Sequence, residues 1–115
     1  MIRKIAEKML LWGMDARYIG TIALLYCAND AAMLTLDGEP WSMKKLCVRY
    51  AQKHDCSWKS VSLAMEDALA AAGVHQTNKG AICALVGYAL RSKNSINTPE
   101  GWNSLVEKVG DTAEN

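Results

Sequence analysis

The residues best suited to chemistry lie in one short stretch, His54-Asp55-Cys56, with Cys47 a little upstream. An imidazole, a carboxylate and a thiol this close suggest either a zinc site or a histidine-activated nucleophilic cysteine. Zinc requires four ligands in paired short spacings, and Cys47, His54 and Cys56 supply three with no fourth at a suitable distance along the chain. His54 falls at a junction between two helical patterns, where an imidazole is expected to be packed or solvated. His75 stands alone in a polar stretch. With no glycine-rich phosphate loop, no paired carboxylates and no G-x-S-x-G motif, neither an enzyme nor a bound metal or cofactor is expected. The four cysteines, Cys27, Cys47, Cys56 and Cys83, form no C-x-x-C pair and each sits among helix-forming apolar residues, so all four are expected to be reduced core thiols.

The elements that must position these groups follow from composition and periodicity. The chain has 115 residues, half of them hydrophobic, enough for one core; a single domain over residues 1–110 with a frayed tail at 111–115 is expected. Thirteen Lys and Arg against twelve Asp and Glu leave +1, so overall charge does not select nucleic acid, membrane or acidic ligands. Residues 18–28 form an apolar run behind Arg3, Lys4 and Lys8, but Asp15 and Arg17 interrupt the signal-like pattern and no cleavage site follows. The run is too short to span a bilayer, and a cytoplasmic location is expected.

With two prolines, glycines mostly at joints and no long alternating stretch, the pattern is all-α, about six helices. It predicts helices over 2–12, closed by Gly13; 15–27, with Asp15 as cap; and 29–36, started by Asn29 and Asp30. After the turn Asp37-Gly38-Glu39-Pro40, Ser42 caps a helix reaching His54. A three-residue break then precedes a helix over 57–72, closed by Gly73, whose Val61, Met65, Ala68, Leu69 and Ala72 form one apolar stripe. Small Ala51 before the break and Val61 after it let the two helices cross closely, as a helix-turn-helix requires. A helix over 80–91 follows, and Asn97-Thr98-Pro99-Glu100 starts a last one reaching residue 109.

In this order the residues resemble the C-terminal DNA-binding effector domain of the sporulation-initiation (stage zero master) response regulator family. Nearly the whole chain carries the likeness: Gly13-Met14-Asp15-Ala16 followed by Gly20; Leu46 through Ala51-Gln52-Lys53; Val61 with Ala64 and Ala68; Ile82 and Leu85-Val86-Gly87-Tyr88; and Asn97-Thr98 where that family has a Pro-Thr-Asn loop. The resemblance implies a six-helix bundle holding a helix-turn-helix, with the helix over 57–72 entering the DNA major groove. Two differences bear on what it implies. The family's phosphoacceptor domain is not among these residues, so control by phosphorylation is not implied. The charged base-reading positions of the family are occupied here by Ser60, Ser62 and Leu63, without the Arg-to-guanine fork.

Duplex DNA is the expected partner. Residues 42–73 carry Lys44, Lys45, Arg49, Lys53 and Lys59 against Asp55, Glu66 and Asp67, five basic to three acidic, a local +2. Lysines and arginines around a groove-facing helix support salt-sensitive phosphate binding; the bland alternative is a solvated surface. Ser57 caps the helix and offers its amides to a phosphate, Ser60 and Ser62 offer hydroxyls to either base type, and Leu63 offers a methyl contact to thymine. Trp58 is read either as a sugar-stacking or partner-binding residue or as a staple packing on Trp41 or the turn. Such a module is expected to act as a homodimer or tandem pair. The alternative is a protein-docking module that has lost base reading and binds through Trp58, Leu63, Glu66 and Asp67.

Overall fold

The computed structural model describes the backbone of residues 1–94 and side chains through Arg91. Among these residues the chain is all-α: α1 (Ile2–Leu11), α2 (Ile19–Leu36), α3 (Met43–His54), α4 (Trp58–Ala71) and α5 (Asn78–Asn94). The helix expected over 98–109 and the tail at 111–115 lie outside the described residues.

Helix ends are set by local hydrogen bonds that the sequence announces. Ser42 Oγ accepts from the Lys45 amide at 3.1 Å and Ser57 Oγ from the Ser60 amide at 3.1 Å, so both residues cap as expected. Gly38 closes α2 at a φ of 74°, with the Gly38 amide donating to the Thr35 carbonyl and the Glu39 amide to the Leu34 carbonyl. This double bond pattern needs a left-handed residue that glycine supplies without a Cβ clash. The same pattern closes α1 at Gly13 and α4 at Gly73. Thr77 caps α5, accepting from the Gly80 amide at 3.0 Å, so that helix begins at Asn78 rather than Gly80.

Two expectations about the first half are corrected. The helices predicted over 15–27 and 29–36 are one helix of 18 residues, α2. Asn29 and Asp30 carry no break because the alanines around them favour continued helix and bury on neighbouring helices. Asp15 does not cap α2. Its carboxylate accepts from the Arg17 amide at 2.9 Å and pairs with the Arg17 guanidinium at 2.7 Å, leaving α2 to start at Ile19. The continuous helix is long and apolar enough, by length and composition, to cross a membrane, unlike the shorter run read from residues 18–28.

In this fold α2 is the central post, and α1, α3, α4 and α5 all pack against it. A helix apolar on nearly all sides belongs inside. Apart from Leu24, its buried positions are small: Gly20, Thr21, Ala23, Cys27, Ala28, Ala31 and Ala32. These let neighbouring helices approach closely, while Ile5, Leu46, Met65, Leu69, Ile82 and Leu85 supply the bulk from around it. One close approach is at Gly20, where any Cβ would run into the Ala64 carbonyl of α4. The thiols divide, contrary to expectation: Cys27 and Cys47 are buried, Cys56 and Cys83 exposed, and all four are free. Cys56 lies in the link between α3 and α4, and Cys83 lies on α5.

Gly20→Ala is therefore expected to lower the unfolding free energy by about 3 kcal/mol, because backbone rather than a movable side chain blocks the added methyl. Gly87→Ala in α5, where a Cβ meets nothing within 4 Å, should be neutral or stabilise by up to about 1 kcal/mol. Urea denaturation of the two variants checks the contrast; equal effects would contradict the close α2 to α4 approach.

Candidate nucleic-acid interface

The turn between α3 and α4 consists of Asp55, Cys56 and Ser57. Asp55 ends α3 in the left-handed region at a φ of 53°, and the Cys56 amide donates back to the Ala51 carbonyl at 3.1 Å. A short polar side chain tolerates this conformation better than most, though less well than glycine. Ala51 and Val61, on either side of the turn, are each 4% exposed and pack into the core, so the two helices are fixed to one another by burial as well as by the short link.

The expected DNA-binding residues differ in where the fold places them. Lys44 and Lys45 lie exposed in the first turn of α3, and the Lys44 ammonium sits 5.6 Å from the centre of the Trp58 ring. The Trp58 ring is thus covered by a cation, while the Trp41 indole N–H donates to Thr35 Oγ1 at 3.3 Å. Arg49 is half-buried midway along α3. Lys53 is exposed but lines a small cleft of about 270 Å³ with Tyr26, Asp30, Tyr50 and His54, on the α2 side of α3.

On α4 the buried stripe is Val61, Met65, Ala68 and Leu69. Opposite it, Lys59, Leu63, Glu66 and Ala70 recur at helical spacing and are all exposed, with Asp67 beside them. Leu63 and Lys59 are therefore outward, as expected. Ser57 and Ser60 stand exposed at the start of the helix with their hydroxyls 2.8 Å apart, each already partnered by the other. Ser62 does not join the outward face: it is half-buried, and its carbonyl and hydroxyl accept from the Asn78 side-chain amide of α5 at 3.0 and 3.3 Å.

Electrostatically, the outward face of α4 holds one cation and two carboxylates, so the positive charge of the helix pair resides on α3 and at the start of α4. The only ion pair among the described residues, Asp15–Arg17, is remote in sequence from this pair; the arginine's hydrogen bonds hold the Asp15 carboxyl at about 2, below the usual carboxylate range. In the core, hydrogen bonding with Cys47 and then burial push the Cys27 thiol up, which keeps it protonated and inert. Among the described residues no three His, Cys, Asp or Glu side chains gather.

Sequence reasoning passed over an aromatic column on the other side of α3. Tyr26 of α2 stacks on Tyr50 at 6.4 Å between ring centres, and Tyr50 stacks on His54 at 4.1 Å with planes 24° apart. The spacing of Tyr50 and His54, four apart on one helix, signals that pair; Tyr26 is brought there only by packing of α2 on α3. No family model, curated protein or solved structure matches the chain.

Because the turn depends on one cap and one left-handed residue, substitutions there should have opposite signs. Ser57→Ala is expected to cost about 1 kcal/mol through the lost cap, and Asp55→Gly to stabilise by about 0.5 kcal/mol by relieving the left-handed conformation. Thermal or urea unfolding of the two variants tests this; destabilisation by Asp55→Gly would contradict the assigned turn.

Proposed function

We propose that this chain binds duplex DNA through α3 and α4 acting as a helix-turn-helix, with most of its affinity coming from phosphate contacts and little from base reading. The observation that carries the reading is the three-residue turn joining two mutually packed helices, the second capped by Ser57 and turning an exposed face away from the core. Lys44 and Lys45 at the start of α3, with Lys59 on α4, are the phosphate ligands. Arg49, half-buried, orients more than it reaches, and Lys53 contributes least because it faces the α2 side.

Base readout falls to Leu63 and, where its carboxylate meets a cytosine amine, Glu66. Glu66 and Asp67 repel phosphate, which favours weak specificity and a dimer or tandem arrangement supplying two half-sites. The resemblance to the sporulation regulator's effector domain supports the same scaffold, and a cytoplasmic protein with no metal or cofactor is consistent with it.

A second reading, docking on another protein, is favoured by one observation: Leu63 is 59% exposed beside Glu66 and Asp67 on the outward face of α4. Trp58 does not share that face, since five residues along a helix place side chains well apart in angle. The docking patch is therefore Leu63 with the two carboxylates.

Fluorescence anisotropy of a labelled random-sequence duplex pool, titrated at several salt concentrations, separates the two. DNA binding is expected to weaken with salt, and Lys45→Ala and Lys59→Ala each to reduce the log–log salt slope by about 1. Lys53→Ala should change it less. Absence of binding at low salt, or binding indifferent to both lysine variants, would overturn the DNA reading and leave the docking patch.

A further inference from the structure

A cleft of about 580 Å³ opens between α2, α3 and the start of α4, beside the point where Gly20 meets Ala64. Its walls are Ile19, Ile22 and Ala23 from α2 and Val61 and Ala64 from α4. Along one edge stand Tyr50, His54, Cys56 and Ser60. We propose that this cleft is a binding site for an uncharged, flat small molecule of two or three rings carrying a hydroxyl or carbonyl at one end.

The volume lies within the range of small-molecule sites, which are mostly apolar with a few convergent polar groups. The absence of net charge in the ligand follows from the lining: it includes no Asp, Glu, Lys or Arg, so an ion entering would lose hydration without a fixed counter-charge. The contrast is local. The neighbouring smaller cleft, across the shared Tyr50 and His54, does hold charges, Asp30 and Lys53.

The flat shape follows from the Tyr50 and His54 rings, which stack on each other 4.1 Å apart and so spend their facing surfaces on one another, leaving ring edges for a ligand. Ring edges favour the face of an aromatic partner, an edge-to-face arrangement that adds to the area buried. At the polar edge, Ser60 Oγ is hydrogen-bonded to Ser57 Oγ and retains acceptor capacity. The His54 imidazole and the Cys56 thiol add a donor or acceptor and a weak donor. A single hydroxyl or carbonyl satisfies this edge; a second at the far end would be buried against isoleucine and valine at a cost. Occupancy of this cleft does not depend on whether α4 meets DNA.

The protein carries its own control for the test. Cys56 lines the cleft, Cys83 is exposed on α5 outside it, and Cys27 and Cys47 are buried. Iodoacetamide labelling followed by peptide mass spectrometry, near neutral pH, reads each thiol separately. With 2-naphthol or 4-hydroxybiphenyl present, Cys56 labelling is expected to slow at least about fivefold while Cys83 is unchanged, as mass action requires of a saturable site. Naphthalene-2-sulfonate, equally flat but charged, should protect at least about tenfold more weakly at equal concentration. Ala64→Phe fills the cleft and should abolish protection; if that variant does not fold, Ser60→Phe on the exposed rim gives the same reading. Unchanged Cys56 labelling with both neutral probes, equal slowing of Cys83, equal protection by the sulfonate, or protection that survives in a folded filled variant would each overturn the proposal.

Discussion

The arrangement depends on a backbone contact: α2 lies against α4 at Gly20, so close that the Ala64 carbonyl occupies the space a side chain would need. Dispersion and apolar burial fall off steeply with separation, so this approach lets the small face of α2 pack closely with the larger side chains around it. It also sets where α4 stands relative to the rest of the bundle. The aliphatic side chains that flank the contact, Ile19 and Ile22 on α2 and Val61 and Ala64 on α4, line the adjoining cleft.

The α3 to α4 turn is the second constraint, and its energetics are mixed. Ser57 satisfies orphan amides at the start of α4, whereas Asp55 holds a left-handed conformation that favours glycine. Lys44 and Lys45 place positive charge in the first turn of α3, where the helix dipole disfavours cations by a few tenths to about 1 kcal/mol. Local rules broken in this way concentrate where a surface serves something other than stability. Part of the cost is offset at Lys44, whose ammonium lies over the Trp58 ring. A pair with positive flanks and an outward helix of mixed charge suits contact with phosphates better than discrimination among bases.

The two faces of α3 have different chemistry. One side, with Lys44 and Lys45, belongs to the proposed DNA surface; the other carries Tyr50 and His54 in the aromatic column and borders both clefts. Lys53 shows how position overrides residue type. In sequence it is one more cation near the turn, but in space it shares a cleft with Asp30. Ser62 shows the same for polarity: its hydroxyl, available to a base edge on the linear pattern, is engaged by Asn78.

By itself the sequence determined the helical class, the glycine-closed ends at Gly13, Gly38 and Gly73, and the caps at Ser42 and Ser57. Each of these depends on hydrogen bonds spanning only a few residues, and the residue type is the cause. The outward placement of Lys59 and Leu63 was legible for a similar reason, since the apolar stripe of α4 fixes the opposite face. Tertiary structure decided the rest. The unbroken run of α2 through Asn29 and Asp30 depends on burial among four other helices; the capture of Ser62 links residues 16 apart in sequence. The exposure of Cys56 and Cys83, and the cleft drawn from three helices, likewise arise only when distant faces meet. Local bonding propagates through a few residues, while packing chooses among all the surfaces the chain can bring together, and that choice is not written in any one segment.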